Sequence, residues 1–217
     1  MASWDALVSS VSYPAVRGAM DITQLILDDH DEQRRLFAIL EQIDRTDTAA
    51  LSAVWTRLAA FLEVHAEAEE QLFYPELLRV GKGVDNASPL DETVDAIRDH
   101  NDIRDAVAAV AEHEVGSDGW YRAVAGANEA NSDHMAEEER EGLTDFRRHA
   151  GLQMRHDLAV AFITFEATHF DGVTPVDKDP ESYVQEVEQE IATSNDQRSD
   201  SAVESNGSLD IGSLKRP

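Results

Sequence analysis

Apolar side chains recur at helical spacing between Ala19 and Thr168, in a stretch where glycine and proline are thin and Ala, Leu, Glu and Arg abound. The pattern predicts helices at about 20–44, 49–79, 90–114 and 118–147, with a further helix at about 152–169. Punctuation agrees with these limits. Asp47-Thr48 offers an N-cap for the second helix and Gly81-Lys82-Gly83 ends it. Ser88-Pro89 opens the third with proline in its first turn, and Gly116-Ser117 parts the third from the fourth. The expected fold is all-α, a four-helix up-down bundle with an extra C-terminal helix and a disordered tail, and bundles of this kind commonly hold metals between facing side chains.

The tail has its own grammar. Residues 1–19 form an N-terminal extension, 20–170 the helical domain, 171–204 an acidic, partly disordered linker, and 205–217 a terminal peptide. A short acidic helix is expected from Glu181 to Ile191. Thr193 to Ser208 contains no aromatic residue and only Ala and Val as apolar members, too little to offset the entropy of ordering, so it reads as disordered. Leu209, Ile211 and Leu214 then follow this polar tether, an odd place for large aliphatics unless a partner buries them. Trp4, Leu7, Val8, Val11 and Tyr13 are apolar enough to pack on the bundle or on a second copy, which leaves a homo-oligomer open.

Composition narrows the chemistry. Of 217 residues, 44 are acidic and 18 are Lys or Arg, and a formal charge of −26 repels nucleic-acid phosphates and anionic lipid. With no cysteine, disulfides, iron–sulfur clusters and thiolate sites are excluded, and only oxygen and nitrogen ligands remain. The opening Met-Ala-Ser-Trp-Asp lacks the basic and apolar regions of a signal peptide, and no apolar run approaches the roughly 18 residues of a membrane span. The expected compartment is the cytoplasm.

Four of the eight histidines repeat with unusual regularity. His30, His65, His100 and His134 are separated by 35, 35 and 34 residues, one on each bundle helix. His65 and His134 each head a His-x-x-x-Glu-Glu run, reaching Glu69-Glu70 and Glu138-Glu139; His30 and His100 each follow an aspartate and precede an arginine, Arg34 or Arg104, by one turn. The halves are offset by 70 and 69 residues, which predicts a duplicated helix pair related by a pseudo-twofold axis.

Residues four apart share a helix face, so His65 with Glu69, and His134 with Glu138, can reach one centre. Ionisable groups interrupt apolar stripes: Ile22, Ile26, His30, Gln33, Phe37 and Leu40 on the first helix, and Leu51, Val54, Leu58, Phe61 or Leu62, His65, Glu69 and Leu72 on the second. A buried carboxylate costs several kcal/mol unless a metal ion or a protonated histidine compensates it. Four imidazoles and two carboxylates suit iron, manganese or zinc, and two bridging carboxylates suggest two metals. Were both glutamates and a solvent-derived oxo or hydroxo group to bridge, each metal would keep one octahedral position open for a small molecule. Glu67, Glu70, Glu137 and Glu139 are expected on the solvated side, His113, His149, His156 and His169 as surface or packing residues, and Arg34 and Arg104 as supporting partners or surface ions.

Asp29-His30, His65-x-x-x-Glu69-Glu70 followed by Leu72-Phe73-Tyr74-Pro75, Asp99-His100 and His134-x-x-x-Glu138-Glu139 resemble the hemerythrin-like (HHE cation-binding) domains over about residues 20–170. That resemblance implies a non-heme di-iron centre, two Fe per chain with an oxo or hydroxo bridge, that reacts with oxygen, peroxide or nitric oxide. Its metal residues would be His30, His65, Glu69, His100, His134 and Glu138. The oxygen carriers of that family place a histidine where this chain has Arg104, and an aspartate where it has Glu138. These departures favour redox turnover of a catalase- or peroxidase-like kind, or sensing, over reversible oxygen carriage. Carriage, and iron storage by ferrous oxidation, are the alternatives.

The run Leu209-Asp210-Ile211-Gly212-Ser213-Leu214-Lys215 resembles the targeting peptide of encapsulin cargo proteins. The resemblance implies an encapsulin shell as partner, bound through Leu209, Ile211, Gly212, Ser213, Leu214 and Lys215, and a location inside that nanocompartment. The expected function is protection against oxidative or nitrosative stress.

Overall fold

The computed structural model describes residues 20–84 and 87–205, with side chains described as far as 194. Every helix of the predicted bundle is present. α1 (Ile22–Gln42) starts where Asp21 accepts the backbone N–H of Thr23 at 3.0 Å. α2 (Thr48–Ala68) is capped by Asp47, α4 (Pro89–Val110) by Ser88 and α5 (Asp118–Arg140) by Ser117. Each cap supplies an acceptor to an N–H that has no partner inside its helix.

Two helices depart from the continuous patterns seen in the sequence. Between α2 and α3 (Tyr74–Val80) the chain makes a π-helical turn over Glu69–Phe73, and the Tyr74 N–H reaches back to Glu69 O. Pro75 has no N–H to give to the carbonyl of Gln71, so a widened turn costs little there. The predicted fourth helix is broken after Arg140, and α6 (Gly142–His149) restarts in a new direction. Glu92 from α4 accepts the Gly142 N–H at 3.1 Å, and a Cβ on Gly142 would meet Glu92 Oε1 at 3.0 Å. Glycine permits that approach.

α7 (Leu152–Thr168) lies against α1 and α2, and α8 (Pro180–Ser205) against α4 and α3. The sequence predicts a short helix to Ile191 and disorder from Thr193, whereas the backbone is helical through Ser205. Tyr183, Val184 and Val187 anchor the first turns of α8. Once that nucleus exists, each added residue gains a hydrogen bond without a new nucleation cost, so burial is not required.

The core is divided in two. One apolar cluster holds Ile22, Ile26, Phe73, Tyr74, Ile97, Phe146 and Phe162. The other holds Leu36, Phe37, Leu40, Leu51, Leu58, Leu62, Val110, Trp120 and Val124. Each large side chain so buried contributes about 1.5–3 kcal/mol relative to exposure. Along each bundle helix the chain passes from one cluster to the other through a polar level: His30 and Gln33 on α1, His65 and Glu69 at the end of α2, His100 and Arg104 on α4, Asn131, His134 and Glu138 on α5. All nine of these residues are buried. No helix among the described residues is long and apolar enough to cross a membrane. The N-terminal extension, with Trp4 to Tyr13, and the terminal peptide from Leu209 to Lys215 lie outside the described residues.

Candidate metal centre

The four repeat histidines meet in that polar level with their Nε2 atoms turned inward. His65 Nε2 lies 3.0 Å from Glu69 Oε1. His100 Nε2 is 3.3 Å, and His134 Nε2 4.0 Å, from the other oxygen, Glu69 Oε2. Glu69 thereby belongs to two groups able to hold a metal ion, one with His30 and His65 and one with His100 and His134, and every member is buried. Glu138 is placed differently. Its Oε2 is 3.4 Å from His30 Nε2, while its Oε1 accepts the hydroxyl of Tyr74 at 2.9 Å. It joins neither of the two groups, so the equivalence of the two acids expected from the repeat is not matched by their placement.

The outward nitrogens follow a second pattern. His30 Nδ1 lies 3.0 Å from Glu139 Oε1, and Arg34 donates to the same oxygen at 2.6 Å. His100 Nδ1 lies 2.7 Å from Glu70 Oε1, and Arg104 donates to it at 2.8 Å. His65 Nδ1 and His134 Nδ1 each lie 3.6 Å from the aspartate preceding the other helix's histidine, Asp29 and Asp99 respectively. The duplicated register is therefore carried into space: each glutamate pair gives one acid inward and one outward, and the outward acid orients a histidine of the opposite half. Carboxylates in this position fix the proton on Nδ1 and leave Nε2 free to bind.

Glu70 and Glu139 correct the sequence reading, which put them on the solvated side. Glu70 is 2% exposed, and the Glu139 side chain is 28% exposed. Neighbouring helix residues point about 100° apart, but in the middle of a bundle both directions meet other helices. Two doubled glutamates at matching register, with arginines one turn after the opposite histidines, were the available signal. Arg104 is buried and pairs with Glu63 as well as Glu70. Lys178, held through its backbone by Asn101, also reaches Glu70, and Tyr183 donates its hydroxyl to the Glu70 carbonyl. His113, His149, His156 and His169 join none of the metal-capable groups. His149 pairs with Asp145 at 2.6 Å and His169 stacks on Phe165.

The electrostatics are those of coupled pairs. Burial pushes the Glu69 carboxyl up, but the charges and hydrogen bonds of His65 and His100 override it and hold Glu69 well below the carboxylate range. Burial likewise pulls His65 down, yet Glu69, Asp29 and Glu166 raise it well above its ordinary value. His100 is carried to about 9 by Glu69 and Glu70 against the same burial. Glu70 falls to about 2 despite desolvation, through His100, Arg104 and Lys178. Tyr74 is raised well above its usual value by burial and by Glu138 and Glu69, so its hydroxyl stays a donor.

This arrangement fits bound metal. Glu70 is ionised and can only accept, so His100 donates Nδ1–H to it and turns Nε2 inward, 3.1 Å from His134 Nε2. The buried atoms His30 Nε2, His65 Nε2, both oxygens of Glu69 and Glu138 Oε2 have no hydrogen-bond partner within the chain. Buried carboxylate oxygens and imidazole nitrogens converging without hydrogen bonds suit a bound cation. Imidazole nitrogens with carboxylates suit iron, manganese or zinc.

Fold and site together define an all-α bundle protein whose facing helices offer paired histidine and carboxylate groups to metal. Residues 21–143 match the Hemerythrin HHE cation binding domain, and the chain belongs to that family. No curated protein and no solved structure matches it.

Proposed function

We propose that the chain is a non-heme di-iron protein of an encapsulin nanocompartment, where it removes peroxide or nitric oxide and so protects against oxidative or nitrosative stress. The observation that carries the metal reading is Glu69, whose two oxygens face histidines from opposite halves of the repeat. His30, His65, His100 and His134 would hold the pair, Glu69 would bridge it, and Glu138 would complete it from the His30 side. When bound, such a pair exchanges electrons with a small oxidant between its ferrous and ferric states.

The chain's own residues set the conditions for that chemistry. Glu70, Glu139, Asp29 and Asp99 keep each imidazole turned inward, and Arg34 and Arg104 neutralise the two outer glutamates. The apolar clusters above and below exclude bulk water. Tyr74 holds one oxygen of Glu138 with a proton that burial keeps in place. His30 and Glu69 are 0% exposed, which favours substrates of a few atoms over anything larger. Arg104 is engaged with Glu70 and Glu63 rather than turned inward, and the absence of a histidine there favours turnover or sensing over oxygen carriage.

The shell reading rests on Leu209, Ile211 and Leu214 after a polar tether, flanked by Gly212, Ser213 and Lys215. Three aliphatics seated in wall pockets would contribute about 1.5–3 kcal/mol each before ordering costs. Co-expression with an encapsulin shell protein tests it. The full chain should co-purify with the shell, and a chain lacking Ser208–Pro217 should not, with its metal content unchanged. Peroxide decay and nitric oxide consumption then assign the substrate, and a spectral change fully reversed by degassing would instead identify an oxygen carrier.

A further inference from the structure

His65 differs from the other three histidines in what its outer nitrogen faces. For His30 and His100 the outer carboxylate is hydrogen-bonded to the ring and neutralised by an arginine. For His134 the outer acid, Asp99, is 33% exposed and open to water. His65 Nδ1 faces two acids at once, Asp29 at 3.6 Å and Glu166 at 3.9 Å, whose side chains are only 16% and 12% exposed. Ligand atoms of all three lie within 4.8 Å of one another. His65 Nδ1, Asp29 Oδ2 and Glu166 Oε1 are each buried without a hydrogen-bond partner, and among the described residues no lysine or arginine pairs with either acid. Two carboxylates held this close in a poorly solvated place repel each other unless a cation joins them. Glu166 belongs to α7, beyond the segment that matches the family.

Glu166 alone of the three also borders a pocket, an open one of about 230 Å³ that it lines together with Glu32, Arg57, Phe61 and Phe170. From the other side, His65 Nε2 faces Glu69 and the inner centre. One imidazole ring thus stands between the acid at the pocket's edge and the inner carboxylate of Glu69.

We propose that Asp29, Glu166 and His65 Nδ1 form an additional divalent-cation site, a staging post at which a ferrous, manganous or zinc ion is held before it reaches the inner centre. Oxygen and nitrogen donors of this kind suit those ions. His65 turns Nδ1 to Asp29 and Glu166 and Nε2 to Glu69, so one ring borders both the outer site and the inner one. The staging role rests on the proposed function, through His65 as an inner ligand; the outer site itself does not.

Crystals of metal-free full-length protein soaked in Mn²⁺, with anomalous difference maps, separate the two. The expected result is a manganese peak between Asp29 and Glu166, separate from any inner peaks at Glu69. Glu166→Gln should lose the outer peak, keep the inner ones, and take up Mn²⁺ several-fold more slowly in stopped-flow mixing. No density at Asp29 and Glu166 at any Mn²⁺ concentration, or uptake by Glu166→Gln at the wild-type rate, overturns the proposal. An outer peak without inner ones would refute the inner centre and leave the outer site standing.

Discussion

Arg104 on α4 donates to Glu70 at 2.8 Å, and the same carboxylate oxygen lies 2.7 Å from His100 Nδ1. The guanidinium thus neutralises the acid that aims the imidazole. Its mate, Arg34, does the same for Glu139 and His30 at the opposite corner, with a side chain 40% exposed where Arg104 is 5%. Glu70→Gln would remove the charge that fixes the His100 proton. It should weaken zinc or ferrous binding by about 10- to 100-fold, measured by chelator competition. Glu139→Gln, in its wetter corner, should weaken binding less. Equal effects of the two would contradict the ranking by burial.

Glu69 and Glu138 should also separate. Glu69 contacts histidines of both halves, whereas Glu138 contacts His30 and Tyr74. Glu69→Gln should therefore leave fewer than one metal per chain by elemental analysis, and Glu138→Gln should retain more than Glu69→Gln does. The same loss in both would restore the symmetry that the repeat alone implies.

Protons and metal compete for the same ring nitrogens. His100 sits at about 9, above an unfolded value near 6.5, so its contribution to metal-free stability is complete below about pH 6.5 and is lost as pH rises through 9. Metal binding requires the neutral ring, so affinity should rise over the same window. The gap in melting temperature between metal-loaded and metal-free protein should widen from about pH 6.5 to pH 9. A constant gap would show that no histidine proton is displaced.

Glu92 is a liability kept for architecture. Burial, together with Glu138 and Glu141, pushes its carboxyl to about 9, although it accepts the Gly142 N–H that starts α6. A raised acid destabilises the fold progressively as pH climbs from about 4.5 toward 9. Glu92→Gln keeps the acceptor and removes the titration, and should raise the melting temperature at pH 7 by a few degrees while flattening its fall toward pH 9. An unchanged pH profile would contradict this assignment.

The bundle was legible because its signals recur along the chain: apolar stripes, a cap at Asp47, breaks at Ser88-Pro89 and Gly116-Ser117, and four histidines at near-equal intervals. Spacing also placed His65 over Glu69. The outer layer was harder to see. Glu70 and Glu139 look like solvent residues because an acidic chain carries many such pairs, and only their opposite-half partners show otherwise. Tyr74 reads as a core aromatic until the π turn at Glu69–Phe73 brings its hydroxyl to Glu138. Glu166 and Lys178 approach from helices and loops remote in sequence, and no periodicity announces a contact between residues 65 and 166. The break at Gly142 depends on a glutamate 50 residues earlier.

The most direct test is metal analysis with near-ultraviolet spectroscopy of the aerobically iron-loaded, full-length protein. A buried pair gathered around Glu69 predicts two irons per chain and the intense near-ultraviolet charge-transfer bands of a bridged diferric unit, both abolished by Glu69→Gln. One iron or none per chain, with featureless absorption in that region, would contradict it.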